Sequence, residues 1–203
     1  MKIYDPDIRE LLLKKFLKTK AFISDPTTKL IHEMDVCFGT SRIDIAVING
    51  KIHGYEIKSE QDTLDRLPAQ IESYNKIFDT MTIVTGENHI SKVIEIVPDW
   101  WGIYYVVKKS NQPILKRKRQ FKINKKVDTF YLAQLLWKNE LLELLRLNGI
   151  NKGVKSKTRF ALCEIVNENI EKQKIKDFVR KKLKSRESWR AVQLQQLCDD
   201  LPQ

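Results

Sequence analysis

Residues 42–74 read RIDIAVINGKIHGYEIKSEQDTLDRLPAQIESY. Two apolar runs, 43–48 and 52–57, flank Asn49-Gly50, a pair that accepts the positive backbone angles of a tight turn, so the stretch predicts a β-hairpin. Side chains alternate along a strand, which puts Glu56 and Lys58 on one face near the end of the second run. Antiparallel pairing then sets Asp44 across from them. Charges in such apolar strands are costly, and two neighbouring carboxylates repel unless a proton or a cation lies between them. Oxygen donors of this kind suit Mg²⁺ or Mn²⁺, with the Ile57 carbonyl as a further ligand. Lys58 would face the same ion and could stabilise charge on a phosphate oxygen or help position the attacking water. The plainer reading is a hairpin whose carboxylates and lysine merely pair at a sheet edge.

Asp62 is placed to cap a helix running to about residue 78, with Leu64, Leu67, Ile71, Tyr74 and Phe78 at helical spacing. Pro68 falls inside that span and implies a kink or a restart. Gln70 and Tyr74, four residues apart, project from one face and can both look back at the hairpin.

Asp44, Glu56-x-Lys58 and Gln70-x-x-x-Tyr74 together resemble the PD-(D/E)xK nuclease superfamily, in its QxxxY-containing, RecB-like branch. The wider stretch is similar to small stand-alone bacterial and phage proteins of that superfamily. The resemblance covers roughly residues 30–107 and departs from the pattern in one place, where Ile43 replaces the proline before the first acid. It implies an α/β fold with a restriction-endonuclease-like core, a mixed central sheet flanked by helices. It also implies hydrolysis of DNA phosphodiester bonds with Mg²⁺ or Mn²⁺ as cofactor, in DNA repair, recombination or phage and mobile-element DNA processing. Asp44, Glu56, Lys58, Gln70 and Tyr74 would be catalytic, with Asp44, Glu56 and Ile57 at the metal. An acid ahead of the central aspartate often completes such a site; Glu33 is the better match and Asp35 the alternative. Alternation along residues 29–38 places both acids on one face with Ile31 and Cys37. A catalytically silent DNA-binding protein with the same fold is the alternative, although the complete Asp44, Glu56 and Lys58 set argues against it.

The chain of 203 residues can bury a proper core as one domain, or as one plus a small appendage. No apolar run reaches the roughly 20 residues that cross a bilayer, and the first ten residues lack a signal-peptide pattern, so a cytoplasmic location and no membrane contact are expected. Cys37, Cys163 and Cys198 are too widely spaced for a zinc site or a disulfide framework, and His32, His53 and His89 show no metal-ligand spacing. Charge is unevenly placed. Residues 1–110 hold 15 Lys/Arg against 16 Asp/Glu, whereas residues 111–203 hold 22 against 10. A nearly neutral part with a carboxylate cluster, joined to a strongly basic part, suits a polyanion such as DNA.

The remaining periodicities predict a first helix over residues 6–19, a strand over 29–38, strands over 81–85 and 101–107, and a helix over 88–97. Because a helix leads into it, strand 81–85 should lie parallel to its neighbour. Trp100 and Trp101 suit packing or base stacking, and packing is favoured. Residues 1–107 thus read as the nuclease-like core and 108–127 as a basic connector or hairpin, leaving 128–203 as a basic helical region. The connector carries Lys116, Arg117, Lys118, Arg119, Lys122, Lys125 and Lys126 as phosphate-binding candidates, and the helical region adds Lys152, Lys155, Lys157 and Arg159. One helix is expected over 129–147 with an Asn148-Gly149 cap, a second begins at Thr158, and a basic third spans 172–184. The first two, with their basic linker, resemble a SAP-like DNA-binding module or form a plain helical hairpin. Trp189, Val192, Leu194 and Leu197 are candidate docking residues near the end. Cutting both strands of a duplex would need two sites and hence a homodimer.

Overall fold

The computed structural model describes residues 3–110, 112–187 and 191–193, the last three by backbone alone. The docking candidates Trp189, Leu194 and Leu197, the Val192 side chain and Cys198 lie outside the described residues.

The elements in chain order are α1 (Asp5–Phe16), α2 (Lys20–Ile23), β1 (Lys29–Val36), β2 (Ser41–Ile48), β3 (Ile52–Lys58), α3 (Leu67–Ile77), β4 (Thr80–Gly86) and α4 (Ile90–Ile96). There follow β5 (Gly102–Lys109), β6 (Gln112–Arg119), α5 (Thr129–Ala133), α6 (Lys138–Leu147), α7 (Arg159–Asn169), α8 (Lys172–Ser185) and β7 (Ala191–Gln193). The strands form one mixed sheet in the order β6-β5-β4-β3-β2-β1-β7. β3, β4 and β5 are parallel, because α3 and α4 serve as crossovers, and the other neighbours are antiparallel. The expected α/β architecture with helices on both faces is the observed one.

Each face of the sheet has its own apolar layer. Against one face pack α1 and α2, through Ile8, Leu12, Phe16 and Phe22, meeting Val47, Tyr55, Ile57 and Val84. The other face carries α3, α4 and the C-terminal helices, in a cluster that runs without a break from Ile43 and Ile83 to Leu145, Val166 and Leu183. The divisions drawn in the sequence at residues 107 and 127 fall within this continuous packing.

Several local expectations are corrected. The β2–β3 connection is a three-residue loop without positive φ at Asn49 or Gly50. There the Asn49 side chain does the work of a turn glycine, accepting from the Lys51 N–H at 3.0 Å and donating to the Ala21 carbonyl at 3.0 Å. Asp62 does not cap α3. Its carboxylate accepts the Ser59 N–H and hydroxyl at 2.7 and 2.6 Å, and α3 starts five residues later. Pro68 therefore lies in the first turn, where a missing N–H costs nothing. The helix expected over 129–147 is interrupted between α5 and α6, where Glu140 accepts the Trp137 N–H at 2.7 Å and starts α6 afresh. Gly149, at φ +80°, supplies the left-handed residue after the Asn148 cap. Trp101 is fully buried and donates its indole N–H to Asn75 at 2.9 Å, as a packing residue does.

A buried ion pair ties α8 to the sheet. Asp79 accepts the Ile52 N–H at 2.8 Å and pairs with Arg180 at 3.1 Å, both side chains being largely shielded. Removing one partner strands the other charge, so Arg180→Ala should lower the unfolding free energy by about 3 kcal/mol in a urea titration. Fluorescence and circular dichroism should report one coincident transition, because α8 and the sheet share a core. Arg117→Ala, on the exposed edge strand, should change stability by less than about 0.5 kcal/mol.

Candidate active site

The alternation of β1 and β2 slips at one level. In β1, Leu30 faces the α1 layer and Ile31 the α3 layer, yet Met34 and Val36 also face the α3 layer. In β2, Ala46 and Ile48 face the α3 layer, and so does Ile43. The slips fall at Glu33 and Asp44, which oppose each other between the pairs His32↔Ile45 and Met34↔Ile43. Glu33 has φ +50°, a costly conformation for a side chain with a Cβ. The expectation that Glu33 and Asp35 share a face with Ile31 is thereby corrected: Asp35 is exposed, and Met34 takes the core position.

The slip frees Asp44 from the sheet. Backbone pairing of β2 with β3 runs to Ile45↔Tyr55, and beyond it the Asp44 carboxylate accepts the Ile57 N–H at 2.7 Å. Within a strand the N–H and C=O of one residue point the same way, so the Ile57 carbonyl faces the same opening. Glu56 is 1% exposed and sits among donors: Lys58 Nζ at 2.7 Å, Gln70 Nε2 at 2.6 Å and the Tyr74 hydroxyl at 2.8 Å. The Tyr74 oxygen also lies 2.7 Å from the Arg42 carbonyl and 3.3 Å from Gln70 Nε2. Asp44, Glu56, Ile57, Lys58 and Gln70 line one cleft of about 550 Å³. All five residues singled out as catalytic are thus brought together, Tyr74 from beneath.

Glu33 is at the rim and differently engaged. Arg9 of α1 reaches it at 2.7 Å, Arg42 reaches it at 3.0 Å, and the same Arg9 lies 3.5 Å from Asp44. Arg9 also donates to the Asp44 carbonyl at 3.3 Å. It was not legible as a site residue, since a single arginine four residues after Asp5 reads as a helix-surface ion pair, which it also makes.

Burial and the neighbouring Glu56 push the Asp44 carboxyl up to about 7. Burial raises Glu56 as well, against the pull of Lys58, and Tyr74 is raised by burial and by Glu56. Among the described residues no group of three or more His, Cys, Asp or Glu side chains is disposed to hold a metal. Two carboxylates and a carbonyl nevertheless fit a hard divalent cation that takes its other ligands from water and a phosphate. The Oε1 atom of Gln70, buried and without a partner, is a further polar atom in that wall.

The basic residues divide. Lys116, Arg117, Lys118, Lys122, Lys125, Lys126, Lys152, Lys155, Lys157 and Arg159 are exposed. Arg119 is half-buried and donates to the carbonyls of Trp101 and Pro98, both at 2.8 Å, so it pins β6 to the loop between α4 and β5. Lys116 is level with Lys58 through Thr85 and Tyr105, three strands away, or about 14 Å.

Comparison with known proteins finds the family description "Bacteriophage P4 protein cII" matching residues 2–198. The chain belongs to the bacteriophage P4 protein cII family. Protein cII of Enterobacteria phage P4 is 28% identical over 177 residues, which are 87% of this chain and 66% of that relative. This member of the P4 cII family therefore spans about two thirds of that relative's length. A protein of unknown function from Silicibacter pomeroyi, 17% identical, aligns over 47% of this chain and 61% of its own with a TM-score of 0.34, a likeness too low to carry an argument. Among the described residues no helix is long and apolar enough to cross a membrane.

The raised Asp44 has a measurable consequence. Its folded form holds a proton more tightly than the unfolded chain between about pH 4 and pH 7, so stability falls as pH rises through that window and is level above it. At about pH 8, Asp44→Asn should unfold at higher urea, by on the order of 1–3 kcal/mol, and the gap should close towards pH 4. Mg²⁺ at pH 8 should raise the melting temperature of the unaltered protein and leave that of Asp44→Asn unchanged.

Proposed function

We propose that this protein is a nuclease of the PD-(D/E)xK type that hydrolyses DNA phosphodiester bonds with Mg²⁺ or Mn²⁺. The observation that carries the reading is the convergence of Asp44, Glu56 and Lys58 on one cleft, with Gln70 and Tyr74 both bonded to Glu56. Asp44, Glu56 and the Ile57 carbonyl would hold the ion, which when bound supplies Lewis acidity at a phosphate oxygen. Lys58 would donate to the charge that builds on the phosphate as the water attacks. Because Asp44 is pushed up to about 7 without the ion, binding of the cation there would displace its proton and grow stronger as pH rises through neutrality. Gln70 and Tyr74 fix the carboxylate plane of Glu56, the one Tyr74 hydroxyl proton being shared between that carboxylate and the Arg42 carbonyl of the strand that carries Asp44. The exposed lysines and arginines of β6 and the following segment would track the DNA backbone, with affinity that falls as salt rises. A phage relative is compatible with DNA processing by a mobile element.

One observation favours a second reading, a DNA-binding protein that does not cut: Glu33 is held by Arg9 and Arg42 and does not join Asp44 and Glu56 in a three-acid cluster. A panel of labelled duplex, single-stranded, forked and four-way DNAs, each with Mg²⁺, Mn²⁺ or EDTA, separates the two. Metal-dependent cutting should fall about 100-fold or more in Glu56→Gln and in Lys58→Ala, and about tenfold in Tyr74→Phe. Intact DNA in every arm, with binding retained, would establish the second reading.

A further inference from the structure

Glu33 and Asp35 are shared between the cleft and a second groove of about 350 Å³, which lies between β1 and the corner where α5 meets α6. Gln134 lines this groove. It is 2% exposed, and neither its Nε2 nor its Oε1 finds a partner. A buried amide with both donor and acceptor unmatched is costly, and folded proteins keep few of them. Trp137 stands at the lip, 56% exposed, with the Arg186 guanidinium 4.4 Å from its ring centre. Arg159 continues the surface to a second aromatic pair, Phe38 and Phe160, exposed and stacked at 5.6 Å, its guanidinium 5.4 Å from the Phe38 ring. Phe38 is held outward by a strained turn in which Cys37, Phe38 and Gly39 have φ of +51°, +56° and +84°.

Exposed rings with arginines against them are the surfaces on which unpaired bases stack, and an amide carrying both a donor and an acceptor matches a base edge. Of the acids nearby, Glu33 pairs with Arg9 and Arg42 and Glu140 with Arg186 at 2.7 Å, while Asp35 is exposed at the groove edge, where solvent and salt screen it. A peptide would also offer a donor and an acceptor to the unmatched amide, so the comparison of intact with abasic strands is the arm that separates a base from such a partner. We propose that this groove receives an unpaired nucleobase of a single DNA strand leaving the cleft. Trp137 stacks on its face, Gln134 pairs with its edge, and Arg159 neutralises the adjoining phosphate. The inference rests on the nuclease reading for the course of the strand, and it names single-stranded or frayed DNA as the substrate class.

Binding is tested in EDTA, where no cleavage intrudes, by fluorescence anisotropy of a labelled single-stranded oligonucleotide, the same strand with one central abasic site, and the matching duplex. Trp137→Ala should weaken single-strand binding about tenfold and leave duplex binding within about twofold, and the abasic strand should lose affinity for the unaltered protein but not for the variant. Gln134→Leu should also weaken single-strand binding while raising the melting temperature, because it removes an unmatched buried amide. A residue that only packs would move the melting temperature alone. Equal affinity for intact and abasic strands, or single-strand binding unchanged in both variants, would overturn the proposal. Binding that depends on the base in a protein that never cuts would overturn the nuclease reading and leave this one standing; cutting without base dependence would do the reverse.

Discussion

A single buried carboxylate sets the terms for the rest of the molecule. Glu56 lies at the end of a central strand where water cannot solvate it, and its charge is tolerable only because an ammonium, an amide and a phenol hydroxyl close around it. Two of those three groups come from α3. That helix must therefore cross the sheet at one rotation and one height, which Leu67, Tyr74 and Ile77 secure by burying themselves in the core. The crossover then delivers β4 parallel to β3, and α4 does the same for β5.

The second constraint is the bend at Glu33 and Asp44. A regular ladder would have turned the Asp44 carboxylate fully into the α3 layer, with no route to solvent or ligand. Slipping the alternation in both strands at the same level keeps apolar residues inward on either side and leaves the acid at the mouth of an opening between β2 and β3. Arg9, from the helix on the opposite face, supplies positive charge at that mouth in the protein alone.

Much of this was legible in residues 42–74, for a physical reason: hairpin periodicity, the Glu-x-Lys step and the i, i+4 pair of Gln70 and Tyr74 are local patterns with one geometric solution each. What escaped depends on partners far along the chain. Asp62 looked like a helix cap because its four-residue context suits one, but Ser59 offered it two donors first. The slip at Glu33 could not be read, since residues 29–38 alternate well enough for a regular strand and only the facing Asp44 gives the break a purpose. Arg9, Arg119 and Gln134 are ordinary surface-type residues in sequence, and their roles come from carbonyls or carboxylates, or from missing partners, brought near by the fold.

The five convergent side chains of the cleft all lie within a span of 31 residues, from Asp44 to Tyr74. Loop closure costs grow with the length of chain enclosed, so a site drawn from one hairpin and the helix after it can organise early, before the distant C-terminal helices dock. Evolution is left free in the same measure. Helices that contribute packing and charge but no cleft donors can lengthen, shorten or exchange their basic residues while the geometry of the cleft stays in place. On the proposed nuclease reading, relatives of this chain can keep one such cassette and vary what it is aimed at.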